Sequence, residues 1–152
     1  MELTWLGSHH DDLTARQMHD LLRLRHRVFV IEQDCPDYED IDGLDVVEGT
    51  HHVLGSDGDR LLAYARVVAP GAQSPQARIG RVVVSGEARG TGVGHALMRE
   101  TLALCERVWP GQELMLAAQA HLADYYGRYG FAPVGEVYVE DGIDHLNMVR
   151  PS

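Results

Sequence analysis

Three glycines alternate within residues 89–94, which read RGTGVG. An apolar run, RVVVS at residues 81–85, precedes them, and an amphipathic run begins at residue 95. A glycine-rich turn between a strand and a helix can direct several backbone N–H groups at one anion, because glycine has no Cβ to obstruct the approach. The segment therefore predicts a phosphate-binding turn. The alternative is a purely structural role, in which the glycines only turn the chain.

The residue types disfavour a dinucleotide site and exclude both a P-loop and a pyridoxal phosphate site. Gly90, Gly92 and Gly94 do not fit the G-x-G-x-x-G turn of dinucleotide-binding proteins, and Gln119 stands where their acidic ribose ligand is expected. All 13 basic residues are arginine. Without lysine the chain has neither the phosphate-binding lysine of a P-loop nor the Schiff-base lysine of a pyridoxal phosphate enzyme.

Length and composition indicate one domain spanning residues 1–152. The net charge of −10 disfavours nucleic acid and anionic membranes as partners. No apolar run approaches the roughly 18 residues of a membrane helix, and the first residues lack a signal-peptide pattern, so we expect a cytoplasmic protein. Neither Cys35 nor Cys105 is expected to have a redox or metal role.

Hydrophobic periodicity predicts alternating strands and helices, with antiparallel hairpins at both ends of the sheet, and hence an α/β fold. A helix is expected to begin at Thr14, which has capping-box spacing to Gln17. Two further helices and seven strands follow from the same patterns. The helices are expected at 92–108 and 121–130, and the strands at 2–6, 50–55, 60–68, 78–85, 114–119, 134–139 and 144–149.

Charged residues raise two further questions. Arg25 lies on the apolar stripe of the first helix, where it either snorkels to solvent or is buried against a carboxylate. Residues 32–48 carry eight acidic residues and no basic one. They are predicted to form an exposed loop, either simply solvated or attracting a cationic amine. The run does not fit a calcium loop, because Tyr38 takes the first ligand position, and no metal site is predicted.

Two motifs together resemble one family. The pattern R-x-x-G-x-G at residues 89–94, after a strand of valines, resembles the acetyl-CoA signature of the GNAT N-acetyltransferases. The segment Y-x-x-x-G-F at residues 126–131 resembles the second motif of that family, in the right order. RHRVFVIEQ, AYARVV and EDGIDH resemble its ElaA-like subgroup. The resemblance covers nearly the whole chain and implies a GNAT fold, a central mixed sheet of about six to seven strands flanked by helices.

The resemblance also implies an activity, the transfer of an acetyl group from acetyl-CoA to an amine, without a metal. In the family, the amides of the glycine turn hold the pyrophosphate, and the preceding strand pairs with the pantetheine arm. Arg128 is a further, weaker candidate for the phosphates. The residues implied in cofactor binding are Val82, Val83, Val84, Arg89, Gly90, Thr91, Gly92, Val93, Gly94, His95, Gln119 and Tyr126.

Tyr126 matches the general acid of the family. A phenol with a pKa of about 10 is protonated at neutral pH and can donate to a thiolate whose conjugate acid has a pKa of about 8.5. A packed core tyrosine is the alternative. The base that removes the proton of the amine is not identified by the sequence; the candidates are His52, His121, Glu32 and His145, or a chain of water molecules.

Two other functions are compatible with the sequence. The same fold could bind coenzyme A without turnover, as a regulatory or interaction module, or it could bind a small molecule without coenzyme A. The acceptor is open among small amines, amino acids, aminoacyl conjugates and protein N-termini. The family resemblance also allows a homodimer.

Overall fold

One seven-stranded mixed sheet organises the molecule in a computed structural model that describes all residues, 1–152. Its strands are β1 (Thr4–His9), β2 (His51–Asp57), β3 (Arg60–Val68), β4 (Ala77–Val84), β5 (Leu114–Gln119), β6 (Ala132–Glu140) and β7 (Ile143–Arg150). They are arranged in the order β1-β2-β3-β4-β5-β7-β6. Only β4 and β5 are parallel; every other neighbouring pair is antiparallel. The predicted α/β class and mixed sheet are confirmed.

The first helix begins where the capping chemistry predicts. Helix α1 (Ala15–Arg25) follows Thr14, whose hydroxyl accepts the Gln17 amide at 3.1 Å. The Gln17 side chain in turn accepts the Thr14 amide at 2.8 Å, which completes the capping box. The chain continues from α1 into a π-helical segment, His26–Glu32, which brings Glu32 to the side of β4.

Two hydrophobic clusters lie on opposite faces of the sheet. Helix α2 (Val93–Val108) makes the crossover between the parallel strands β4 and β5, and buries residues such as Leu97 and Leu104 in the larger cluster. Helix α1 packs over β3 and β4 on the other face, where Leu21 meets Tyr64 in the smaller cluster. No helix of the structure has both the length and the apolar character needed to cross a membrane.

Two predicted elements differ from the structure by more than two residues at one end, and the other predicted limits agree within two. The first strand runs over Thr4–His9 rather than 2–6, because its pairing with β2 extends as far as His9 opposite His51. The helix predicted at 121–130 is a 3-10 turn followed by α3 (Ala123–Gly127). The helical turns still close at Gly130, with φ of 90°, where the Phe131 amide bonds the Tyr126 carbonyl at 3.3 Å.

Arg25 is buried and paired, which decides between the two interpretations of the sequence. Its side chain is 0 % exposed. Its Nε donates to Asp40 at 2.9 Å, and its Nη1 donates to Asp45 at 2.6 Å. Burial alone would raise the pKa of Asp45, but the hydrogen bonds and positive charge of Arg25 and Arg66 lower it. Both carboxylates belong to the acidic run, so part of that run is packed, contrary to the prediction of an exposed loop.

Two further arginines complete this ion-pair cluster, formed by Arg25, Arg66, Arg81, Asp40, Asp42 and Asp45. Arg66 donates to Asp42 through Nη1 and Nη2, each at 2.9 Å, and to Asp45 at 3.0 Å. Arg81 contacts Asp40 at 2.9 Å and Asp42 at 3.1 Å. Burial would raise the pKa of Asp42, but the bonds from Arg66 bring it to about 2. Three arginines thus neutralise three aspartates, which are unavailable to attract a cationic amine.

His52 lies against this cluster with both ring nitrogens engaged. Nε2 donates to the Asp45 carbonyl at 2.9 Å, so Nδ1 is the acceptor for the Tyr64 hydroxyl at 2.5 Å. The ring is 0 % exposed. Burial lowers the pKa of His52 to about 4, so the folded protein keeps this imidazole neutral.

This buried imidazole predicts acid sensitivity. The unfolded chain protonates His52 near pH 6.5, but the folded protein does so only near pH 4. Stability should therefore fall as the pH drops from about 6.5 to about 4, by about 1.4 kcal/mol per unit and about 3 kcal/mol in all. Urea unfolding between pH 7.5 and 4.5 should show this slope in the wild type and a flatter one in His52→Gln. Equal slopes would contradict the assignment.

Candidate active site

A cleft opens where β4 separates from β5. The two strands pair only from Ala77 opposite Leu114 to Ile79 opposite Leu116. Beyond that point β4 stays paired with β3, whereas β5 follows β7. The edge of β4 over 80–84 therefore has no neighbouring strand on the β5 side. A cavity of about 840 Å³ lies there.

An irregularity in β4 produces the separation. The register between β3 and β4 shifts between Tyr64 and Arg66, and Arg81 adopts a φ of 54°. A bulge of this kind bends a strand and increases its twist. Val82, Val83 and Val84 follow the bulge and line the cleft, so the residues that the family resemblance assigns to the pantetheine arm all lie along it.

The glycine turn presents six backbone amides without partners. No N–H group from Gly90 to His95 donates a hydrogen bond to any backbone or side-chain acceptor of the chain. The last three are the first amides of α2, where the helix dipole adds partial positive charge. No acidic residue lies in the first turn of α2 to oppose an anion. These amides can bind a phosphate group.

The conformation of this turn requires glycine at two positions. Gly90 has φ of 76° and Gly92 has φ of 84°, in the left-handed region that other residues rarely adopt. A Cβ built at either position would meet no atom within 4 Å, so open space lies over the turn. Thr91, between them, fixes the turn from below by donating its hydroxyl to the Ala88 carbonyl.

Tyr126 lines the cleft from α3. Its side chain is 8 % exposed, and its hydroxyl makes no hydrogen bond within the chain. Burial raises the pKa of Tyr126, so the phenol is protonated at neutral pH. The neighbouring Tyr125 has a different role, since its hydroxyl donates to the Gly94 carbonyl at 3.1 Å and ties α3 to the start of α2. Of the two tyrosines, only Tyr126 lines the cleft.

Gln119 and Arg89 lie on opposite walls of the same cleft. Gln119 is the last residue of β5, and its amide group makes no hydrogen bond within the chain. Arg89 donates Nε to the Val84 carbonyl at 3.0 Å and Nη1 to Glu32. His95, at the start of α2, bonds the Tyr129 hydroxyl. Arg128 is exposed and does not line the cleft.

The structure separates the four candidate bases. Glu32 and His145 line the cleft, although Glu32 is engaged by Arg89. His52 is enclosed by its two partners and does not reach the cleft, and His121 is exposed outside it. His145 bonds the Ile143 carbonyl through Nδ1 at 2.7 Å. Because a carbonyl only accepts, Nδ1 carries the hydrogen and Nε2 keeps a lone pair that can take a proton.

Sequence reasoning missed several residues of the cleft wall. Tyr38, Arg66, Arg78 and Arg81 all line it. One signal was present, because an arginine within an otherwise apolar strand such as AYARVV requires a buried partner. The carboxylate partners of Arg66, however, lie in the acidic segment, which precedes β2 in the sequence, whereas Arg66 follows β2. No local sequence pattern connects the arginine with that segment.

Comparisons with known proteins agree with this geometry. The family model of the acetyltransferase (GNAT) domain matches residues 39–151. Protein ElaA of Escherichia coli (strain K12) is 47% identical over 148 residues, which cover 97% of this chain and 96% of that protein. The UPF0039 protein sll0451 of Synechocystis is 38% identical over 150 residues, or 98% of this chain and 96% of the relative.

Solved structures give the same assignment. The crystal structure of an acyl-CoA N-acyltransferase from Pseudomonas aeruginosa superimposes with a TM-score of 0.95 at 50% identity, covering 98% of this chain and 99% of that one. Escherichia coli ElaA superimposes with a TM-score of 0.92 at 46% identity, covering 97% and 99%. The chain belongs to the GNAT family, in its ElaA-like subgroup, and has the fold of the acyltransferases that use acyl-CoA as cosubstrate.

Proposed function

We propose that this protein transfers an acetyl group from acetyl-CoA to an amine, with Tyr126 as general acid. The observation that carries the proposal is the juxtaposition of six unpartnered amides at the start of α2 with a cleft that opens along β4 and contains an unbonded tyrosine hydroxyl. The diphosphate, the pantetheine arm and the thioester of acetyl-CoA each have a chemically suitable counterpart in this arrangement. The acetyl group follows from the family resemblance.

The diphosphate fits the glycine turn. The amides of Gly90 to His95 supply hydrogen-bond donors, and the absence of side chains at Gly90 and Gly92 leaves the approach open. The unpaired edge of β4, from 80 to 84, offers backbone groups to the amides of the pantetheine arm, as an added strand would use them. Gln119 supplies a side-chain amide from the facing strand.

The chemistry is a direct displacement. The nitrogen of the amine forms a bond to the acetyl carbon, and the bond between that carbon and sulfur breaks. Tyr126 gives its proton to the departing thiolate, which keeps the thiol from re-adding. His145 takes the proton of the amine at Nε2, the nitrogen that its bond to the Ile143 carbonyl leaves free. A neutral amide and a neutral thiol result.

Removing the acid should slow the chemistry but not the binding. Tyr126→Phe lacks only the hydroxyl, which makes no hydrogen bond within the chain, so the fold should be unaffected. We expect kcat to fall at least about 100-fold while the Kd for acetyl-CoA changes less than about twofold, since one general acid contributes about 100- to 10,000-fold to the rate. A thiol-release assay measures kcat, and isothermal titration calorimetry measures the Kd for acetyl-CoA. Tyr138→Phe is the matched control, since its hydroxyl bonds the Asn147 side chain outside the cleft, and an unfolded Tyr126→Phe would instead indicate a core role.

Removing the proposed base should lower the rate of acetyl transfer, and added imidazole should restore part of that rate. We expect His145→Gln to lower kcat about 100-fold; in His145→Ala, which leaves space beside the cleft, added imidazole should restore part of the rate. His121→Gln, at an exposed histidine outside the cleft, should keep full activity. Retention of more than half the activity in His145→Gln, or an equal loss in His121→Gln, would assign the proton to another acceptor.

Thiol release from acetyl-CoA against a broad panel of amines tests the proposed function. We expect acetyl-CoA to bind, and at least one amine to raise the rate of thiol release above hydrolysis. Binding without release for every amine would favour the non-catalytic coenzyme A module. Absence of acetyl-CoA binding at high micromolar concentration would contradict both the acetyltransferase and the coenzyme A module. Longer acyl-CoA thioesters in the same assay test the preference for acetyl.

A further inference from the structure

Arg66 holds a buried donor that nothing in the chain accepts. The residue is 2 % exposed and lines the cleft. Its Nη1 and Nη2 are satisfied by Asp42 and Asp45, but its Nε is buried without a hydrogen-bond partner. A buried donor left unpaired costs about 1–3 kcal/mol. A ligand oxygen in the cleft would remove that cost.

Arg78 is the second unusual arginine of the cleft. Four arginines line it, and three of them have carboxylate partners: Arg66 and Arg81 in the ion-pair cluster, and Arg89 with Glu32. The half-buried Arg78 has no carboxylate within 4.0 Å, and its Nη1 contacts only the Met115 sulfur, at 3.6 Å. Arg78 is therefore the one arginine of the cleft wall without an ion-pair partner.

The strand register brings these two arginines onto one face. Arg66 lies opposite Gly80, and Arg78 lies opposite Val68. Residues in this diagonal relation on antiparallel strands have Cα atoms about 7–8 Å apart, which long side chains can span. Gly80 lies beside both, and a Cβ built on it would meet no atom within 4 Å, so the space above it is open.

The position suits an acceptor rather than coenzyme A. Arg78 lies on the last stretch over which β4 and β5 still pair, before the bulge at Arg81, whereas the glycine turn follows the far end of β4. A group held at Arg78 is therefore on the opposite side of the bulge from the diphosphate. Building on the function proposed above, we infer that the acceptor is a small amino carboxylic acid whose carboxylate binds the Arg78 guanidinium and the Arg66 Nε.

A matched series of acceptors tests this inference. Free amino acids and the corresponding amino acid amides differ in the carboxylate, and thiol release gives kcat/KM for each. We expect the preferred acid to exceed its amide by about 10- to 100-fold, the range of a charge-assisted hydrogen bond. The amide has the less basic and more available amine, so reactivity alone would give the reverse order. Equal use of acid and amide would overturn the inference and leave the acetyltransferase intact.

Variants of Arg78 provide a second readout. Arg78→Gln should raise KM for the acid about 10- to 100-fold and leave kcat/KM for the amide within about twofold. Arg78→Lys should recover part of the loss, and Arg99→Gln, exposed on α2, should resemble the wild type. Because Arg78 has no ion pair, its replacement is expected to leave the melting temperature unchanged. An Arg78→Gln enzyme with the wild-type ratio of acid to amide would contradict the inference.

A binding measurement separates this inference from the proposed function. N-acetyl amino acids and their amides are titrated into the protein loaded with coenzyme A, whether or not turnover is seen. Binding of the acid but not the amide, lost in Arg78→Gln, supports the carboxylate site even if no amine reacts. Failure of both to bind, or equal binding of both, overturns it. Failure of the protein to bind acetyl-CoA is a separate result that counts against the proposed function alone.

Discussion

Replacing Gly92 by glutamate is expected to abolish acetyl-CoA binding, with a loss of affinity of at least about 100-fold. Gly92 has φ of 84°, so any side chain strains the turn, and this one adds a carboxylate where six amides converge on the expected diphosphate. Isothermal titration measures the change in Kd. A variant with the affinity of the wild type would remove the glycine turn from the binding site.

Two controls separate the possible causes of that loss. Gly92→Ala adds a Cβ at the same positive φ without a charge, so it reports the cost of strain. Gly111→Glu makes the same chemical change at another exposed glycine, with φ of 72°, in the turn after α2 and outside the residues that line the cleft. We expect Gly111→Glu to bind as the wild type does. A comparable loss in that control would indicate general destabilisation rather than a blocked site.

Asp45→Asn is expected to lower the free energy of unfolding by about 3–5 kcal/mol, the range for breaking a buried ion pair. Asp45 is 5 % exposed and accepts from Arg25 at 2.6 Å and from Arg66 at 3.0 Å. An asparagine leaves two buried guanidinium groups with one carboxylate fewer. Urea denaturation at pH 7 measures the effect.

Asp37→Asn is the matched control, since Asp37 lies in the same acidic segment but is exposed and outside every ion pair. We expect it to change stability by less than about 0.5 kcal/mol. If Asp45→Asn remained within about 1 kcal/mol of this control, the cluster would contribute little to stability. The position of Arg66 in the cleft would then need another explanation.

Local sequence patterns predicted the strands of the sheet close to their observed positions. The strand over 114–119 was predicted with its observed bounds, because an apolar run ending in a polar residue leaves little choice. The hairpin of β2 and β3 was also predictable, because residues 56–59 read SDGD, a sequence typical of a tight turn. The first strand was displaced because its limits depend on pairing with β2, and pairing across some 45 residues has no local signature.

The acidic segment shows what local patterns omit. Its composition is typical of a solvated loop, yet Asp40 and Asp45 are 6 % and 5 % exposed. Their burial depends on Arg25, Arg66 and Arg81, which come from three different elements. In the sequence analysis only Arg25 suggested a buried ion pair, because it interrupts an apolar stripe. The pairing itself is a property of the assembled fold.

The sequence did not distinguish among the four candidate bases for a similar reason. Alternation along a strand shows that His51 and His52 point to opposite faces, but not that the His52 face is covered by the ion-pair cluster. His145 reaches the cleft because β7 pairs with β5 and brings it opposite Gln119. That pairing follows from the sheet order, which the sequence left undetermined.

A crystal structure of the protein with coenzyme A is the most direct test of the central claim, that the bare main chain of residues 90–95 binds the diphosphate. We predict diphosphate oxygens within hydrogen-bond distance of these amides, and the thiol arm lying along Val82–Val84 towards the Tyr126 hydroxyl. A diphosphate bound elsewhere, with the six amides making no contact to it, would contradict the account.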